Sequence, residues 1–134
     1  MVFVLDASVA ACWAFDDEDH PVATQALERL RTDPALAPSL WWFELRNTLM
    51  VNERRGRLTT ADTTAFLRAV GRLPVTLDPA PGDAAVLALA RTHRLTVYDA
   101  AYLELAQRES LPLATLDAAL ARVAQAEGVA LIGT

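Results

Sequence analysis

The chain has 134 residues, enough for one domain spanning 1–134 with a sizeable core, and its 53% hydrophobic content favours a filled interior or an apolar face covered by a partner. A lone cysteine, Cys12, excludes an internal disulfide. The run Met1–Asp6 is too short and too soon charged for a signal peptide, and no apolar run nears the roughly 18 residues of a membrane span, so no membrane role is expected and the expected address is the cytoplasm.

A net charge of −5 argues against a general nucleic-acid binder, because counterion release rewards basic surfaces. Two features soften that exclusion. Asp16, Asp17, Glu18 and Asp19 put four acids into one stretch that reads as a solvated loop, and carboxylates gathered around a divalent cation are neutralised by it.

In chain order, Val2–Leu5 reads as a buried strand, followed by a polar turn and a short helix around Val9 to Phe15. Pro21 opens a helix to about Arg31, closed by Asp33-Pro34. Ala35–Pro38 is a short strand; Ser39 is the expected N-cap of a long helix from Leu40 to about Arg55, stopped by Gly56 in a left-handed turn. Thr59 or Thr60 caps the next helix, with Phe66, Leu67 and Val70 on one face. Val75–Leu77 is a brief strand, and Asp83 starts a helix with Val86, Leu89, Ala90 and His93 at core spacing. Leu95–Val97 is expected as a strand running into Tyr98-Asp99 and a helix through Leu103 and Ala106. Leu113–Thr115 is another strand leading to Asp117 and a helix through Leu120 and Val123 to Gly128, and Val129–Ile132 is expected as the last strand. Strands alternating with helices predict an α/β fold: three layers, α/β/α, around a mainly parallel sheet.

In such a sheet the site lies beyond the carboxyl ends of the strands, where Asp6, Asp99 and Asp117 fall. Glu44 sits inside the apolar run Leu40–Leu45, where a charge is costly unless something pairs with it. Each aspartate alone could be a helix N-cap. Together with Glu44 the simplest shared partner is a hard divalent cation, since like charges at close range otherwise force protons onto the group. All-oxygen donors point to Mg2+ or Mn2+, one or two ions, over zinc. Asn47, three after Glu44, shares its helix face and is placed to orient that carboxylate or a bound water.

The segments Val2–Val9, Glu44–Asn47, Tyr98–Tyr102 and Leu113–Asp117, in this order, together resemble the motifs of PIN-domain ribonucleases over essentially the whole chain, most closely the toxin half of VapBC-type toxin–antitoxin pairs. The resemblance implies a PIN-like fold, with Asp6, Glu44, Asp99 and Asp117 as catalytic metal ligands and Ser8, Asn47 and Thr115 as supporting polar groups. It implies endonucleolytic cutting of RNA by a metal-activated water, a cognate antitoxin as partner, and a homodimer. Relatives often carry basic residues near the first and last motifs, where this chain has Ala10-Ala11-Cys12 and Ala118-Ala119. RNA contacts are therefore sought at Arg54, Arg55 and Arg57, which equally suit the negative end of a helix dipole.

Trp13, Trp41, Trp42 and Phe43 are candidate partner contacts, because consecutive helical positions sweep about 100° each and cannot all point inward. About half of them are expected in the core. Tyr102 reads as core ahead of base stacking, and Cys12, His20 and His93 as structural. Two other functions fit the acids less well. A Mg-binding phosphoryl-transfer or signalling domain is disfavoured because every basic residue is arginine, and the lysine such domains use is missing. A non-catalytic binding module is disfavoured because unemployed buried carboxylates would destabilise it.

Overall fold

The computed structural model describes residues 1–79 and 81–133. Its elements in chain order are β1 (Phe3–Leu5), α1 (Ala7–Cys12), α2 (Pro21–Arg29), β2 (Ala35–Pro38), α3 (Leu40–Arg54), α4 (Thr60–Val70), β3 (Val75–Asp78), α5 (Asp83–His93), α6 (Val97–Glu109), β4 (Leu113–Ala114) and α7 (Ala118–Ala126). The four strands form one parallel sheet in the order β3-β2-β1-β4, with helices packed around it. Among the described residues no helix is long and apolar enough to cross a membrane.

The order explains where a site must form. From β1 the chain builds outward through β2 to β3, then returns to place β4 on the opposite side of β1. The connections leaving β1 and β4 therefore diverge, opening a crevice at the carboxyl ends of those two strands. Phe3, Val4 and Leu5 are all fully buried, as the continuous apolar run of a central parallel strand requires. Helix α6 covers the sheet so completely that every residue from Ala100 to Ala106 is buried. Each fully buried leucine there, such as Leu103 or Leu105, contributes about 2–3 kcal/mol by removing its side chain from water.

Several helix ends follow sequence chemistry directly. Thr59 and Asp62 form a reciprocal capping box at α4, and Gly56 takes φ +76° after α3 with open space around its Cβ position. Ser39 does not act as the expected side-chain cap. Its backbone is already helical and its hydroxyl makes no capping bond.

Two expected strands are absent. Leu95–Val97 is no strand, because α5 ends at Arg94 in the left-handed region (φ 55°) and Thr96 at once caps α6, accepting from Asp99 N–H at 3.1 Å. Three residues between helices cannot reach the sheet and return, so Thr96 serves as a cap and Val97 opens the helix. Val129–Ile132 contributes a single parallel bridge, Leu113 to Leu131, because β4 offers only two residues as a template. Helix α1 also starts earlier than expected, at Ala7, because Asp6 itself caps it.

Candidate functional site at the β1–β4 crevice

Asp6 follows β1 and is buried (6% exposed), continuing the ladder by donating its N–H to Ala114 O at 3.0 Å. Its side chain is the hub of a hydrogen-bond lattice. Oδ2 accepts from Thr115 Oγ1 at 2.6 Å and from Ser8 Oγ at 2.9 Å. Both hydroxyls in turn accept backbone N–H groups: Leu116 N–H to Ser8 Oγ at 3.1 Å and Asp117 N–H to Thr115 Oγ1 at 3.0 Å. With their acceptor roles filled by amides, the hydroxyl protons are left for Asp6, which fixes the direction of every bond. Oδ1 keeps only a long 3.5 Å contact from Ser8 N–H. The turn after β1 and the turn after β4 are thereby sewn together through one carboxylate.

Asp117 caps α7, its Oδ1 accepting Leu120 N–H at 3.0 Å. The cap readings of Asp6 and Asp117 are therefore literally true, and capping takes only part of each side chain. Asp99 is no cap. It lies in the first turn of α6, half-buried, where no strand precedes it. Glu44 lies in the second turn of α3, half-buried, with Oε1 accepting the Tyr102 hydroxyl at 2.6 Å.

The four acids share one electrostatic environment. Burial pushes the Asp6 carboxyl up against the pull of its Thr115 and Ser8 bonds, with the charge of Asp117 adding to the rise. Burial likewise raises Glu44, opposed by the Tyr102 bond and reinforced by Asp6 and Asp99. Asp99 is raised by burial, then by the charges of Asp117 and Asp6. Among the described residues no arginine or histidine forms an ion pair with any of the four.

As the side chains stand, no three or more His, Cys, Asp or Glu groups among the described residues are set to hold a metal ion. The donor chemistry fits one nonetheless. Repelling carboxylates with no counter-cation, presenting free oxygens, are stabilised by a hard divalent ion, and the set contains no soft ligand. Asp6, Glu44, Asp99 and Asp117 would hold it.

Of the supporting residues, Ser8 and Thr115 bond Asp6 directly. Asn47 is exposed and makes no side-chain bond to Glu44. It shares with Glu44, Leu40, Phe43 and Tyr98 the lining of a cavity of about 410 Å³. A recess of about 490 Å³ between Phe15, Asp17, Arg57 and Asp62 contains none of the four acids.

The three arginines separate. Arg54 and Arg55 are exposed at the end of α3, ten residues or about 15 Å along the axis from Glu44. Arg57 is engaged: it bonds Asp17 at 3.2 Å, Glu18 at 3.4 Å and Asn52 Oδ1 at 3.1 Å, and lies 4.2 Å over the Phe15 ring. The acidic run Asp16–Asp19 is thus exposed but pinned at Asp17 and Glu18. The aromatic set also divides. Trp41 is buried, and Trp13 is half-buried with Nε1 donating to Ala23 O at 2.8 Å. Trp42 and Phe43 are exposed and packed edge to face at 4.9 Å.

Tyr102 is fully buried, as its helix face implies, and its bond to Glu44 is a role the helix face does not reveal. A signal existed. A buried tyrosine hydroxyl needs a partner, and an unpaired glutamate in an apolar helix needs a donor.

A parallel α/β sheet with carboxylates at its switch-point crevice defines an α/β protein with an acidic candidate site at the place where such sheets bind ligands. The chain belongs to the PIN domain family, whose model matches residues 3–126. PIN domains are generally nucleases that bind divalent metal ions. The crystal structure of PAE2754 from Pyrobaculum aerophilum is similar, with a TM-score of 0.69 and 26% sequence identity, covering 92% of this chain and 87% of that one. No curated protein matches the chain by sequence.

Proposed function

We propose that this chain is a Mg2+- or Mn2+-dependent endoribonuclease, the toxin component of a VapBC-type toxin–antitoxin module acting in the cytoplasm. The observation that carries the reading is the lattice in which Thr115 and Ser8 fix Asp6 among three other acids that no arginine or histidine neutralises. A bound divalent ion supplies positive charge at the scissile phosphate and a more acidic water.

The chain's own groups do the rest. Asp6 is held by the hydroxyls of Thr115 and Ser8 and Asp117 by the Leu120 amide of the helix it caps, so both carboxylates are oriented in advance. Burial and the charges of Asp117 and Asp6 raise the Asp99 carboxyl against the weaker pull of the Thr96 hydroxyl, which moves it toward the range of a useful base. It is the carboxylate we assign to accept the proton of the attacking water. The one cysteine, Cys12, is buried and its thiol is pushed up chiefly by burial, so no covalent nucleophile is invoked.

The proposed partners are RNA, a cognate antitoxin protein and a second copy of the chain. Trp42, Phe43 and Met50 project from one side of α3, with Arg46 stacked 3.8 Å over Trp42, and this exposed aromatic face adjoins Glu44. The test is expression of the wild type and Asp6→Asn, scoring growth arrest and RNA fragments with Mg2+, Mn2+ or a chelator. Fragmentation by the wild type that needs the ion and disappears in Asp6→Asn is expected; equal behaviour of the two proteins defeats the assignment.

A further inference from the structure

The Tyr102 hydroxyl joins three elements at one atom. It donates to Glu44 Oε1 on α3 at 2.6 Å and accepts the Ala7 N–H at 3.3 Å, the first amide of α1 and the one that follows Asp6. An amide can only donate, so the phenol proton points at Glu44 and the direction of the chain of bonds is fixed. The ring itself is fully buried on α6. Phenylalanine would fill that volume equally well, so packing does not explain the oxygen.

We propose that Tyr102 is a positioning residue that occupies Glu44 Oε1 and leaves Oε2 as the single oxygen Glu44 presents to the crevice. This rests on the cation-binding reading given above. The same division recurs at the neighbouring acids. Asp6 has Oδ2 taken by Thr115 and Ser8, and Asp117 has Oδ1 taken by the Leu120 amide. In three carboxylates one oxygen therefore already carries bonds from within the fold, which biases ligation toward the other oxygen. One-oxygen donors leave coordination positions to water and suit a small octahedral ion. Calcium, which takes six to eight oxygens and often two from one carboxylate, is disfavoured by the same bias. Tyr102 thus sets which cation the site accepts as well as where Glu44 stands relative to Asp6.

The experiment titrates Mn2+, followed by the paramagnetic signal of the free ion, and Ca2+ by competition, into the wild type, Tyr102→Phe, Glu44→Gln and the double variant. Removing a group that orients a ligand costs about 10–100-fold in metal affinity, so Tyr102→Phe is expected to bind Mn2+ that much more weakly and to lose part of its preference over Ca2+. In the Glu44→Gln background the further change to Phe is expected to cost nothing, since its effect passes through Glu44. A folded Tyr102→Phe with wild-type Mn2+ affinity overturns the proposal, as does a double variant whose loss is the product of the two single losses. If the Phe variant does not fold, infrared spectra of the wild type minus Glu44→Gln replace it. A wide splitting of the Glu44 carboxylate stretches with Mn2+ marks one-oxygen donation and supports the proposal; a narrow, two-oxygen splitting overturns it. Absence of any Mn2+ uptake by the wild type defeats the nuclease reading itself, and this inference with it.

Discussion

Thr115 and Asp6 lie 109 residues apart in sequence and 2.6 Å apart in space, the threonine donating its hydroxyl proton to the aspartate while accepting the amide of Asp117. One side chain therefore serves both acids at the crevice. Thr115→Val keeps the shape and removes both bonds, leaving the Asp117 amide without its partner. Stability measured by urea unfolding is expected to fall by about 1–3 kcal/mol, the cost of such an orphaned group. RNA cleavage is expected to fall about 10–100-fold, with Thr115→Ser retaining most of it. Cleavage by the valine variant at the wild-type rate would show that the lattice does not position Asp6.

The raised carboxyls make a prediction about pH in the absence of metal. Asp6, Glu44 and Asp99 all bind their protons more tightly in the native state than at the ordinary values of 3.8 for Asp and 4.5 for Glu. Their contribution to stability is therefore present at low pH and lost as pH rises through the elevated native values. Asp62 and Glu127, held below the ordinary range by hydrogen bonds, tilt the other way, so the informative quantity is a difference between variants. With chelator present, Asp99→Asn is expected to melt higher than the wild type at about pH 7.5 and to lose that advantage progressively as the pH is lowered and the wild-type acid takes up its proton. Added Mg2+ should raise the wild-type melting temperature more than that of the variant. A wild type that outlasts Asp99→Asn in chelator at neutral pH contradicts the electrostatic account.

Outside the four acids, Arg108 holds α6 to β3. Its guanidinium bonds Glu104 at 2.7 and 3.1 Å and Asp78 at 2.8 and 3.2 Å, a double fork that lysine cannot reproduce. Glu104 is only 4% exposed. Breaking a buried pair from one side costs about 3–5 kcal/mol, and because the arginine reaches solvent about 2–3 kcal/mol is expected for Arg108→Ala. Glu104→Leu combined with Arg108→Met should recover part of that loss, because the most deeply buried charge is removed and only Asp78, at 19% side-chain exposure, is left without its partner. Urea midpoints of the two variants decide it, and a double variant no better than Arg108→Ala would contradict this.

The exposed α3 face yields a test of assembly. Trp42 is 43% and Phe43 68% exposed, so replacing both with serine removes little from the core. Sedimentation of the wild type should show a dimer and the Trp42→Ser/Phe43→Ser variant a monomer of unchanged fold. Identical sedimentation of the two would leave that face without the role assigned to it.

The sheet, the long helix and the places of Asp6 and Asp117 are legible in the sequence because they depend on local pattern: apolar runs for β1 and β2, Gly56 for the end of α3, carboxylates where β1 and β4 give way to turns. Asp99, expected at a strand end, instead lies in the first turn of α6. What escapes it is set by lengths and by tertiary partners. Thr96 and Val97 favour a strand by composition, but only three residues separate α5 from α6, and the threonine is better used as a cap. The final Val129–Ile132 has strand composition yet meets a β4 of two residues, so one bridge is all it can form. The helix face of Tyr102 gives its burial but not the acceptor on α3 that its hydroxyl reaches. Arg57 goes with Arg54 and Arg55 by sequence alone, although its partners Asp17 and Glu18 are about forty residues earlier.

That separation of the arginines is itself testable. Arg54 and Arg55 form no ion pair among the described residues and project from the end of α3, free to meet phosphates a few nucleotides from a strand held at Glu44. Arg57 is spent on the acidic loop and on Phe15. Replacing Arg54 or Arg55 by alanine should weaken RNA binding uniformly across sequences and reduce the salt slope of log K by about 0.7 for each single-strand phosphate that the arginine no longer neutralises. Arg57→Ala should instead lower the melting temperature and loosen the Asp16–Asp19 loop to proteolysis with the salt slope unchanged. Binding isotherms at three salt concentrations separate the two outcomes. A salt slope altered by Arg57→Ala but not by Arg54→Ala or Arg55→Ala would put the phosphate path across the acidic loop, against its charge, and would overturn the reading of α3 as the track the strand follows.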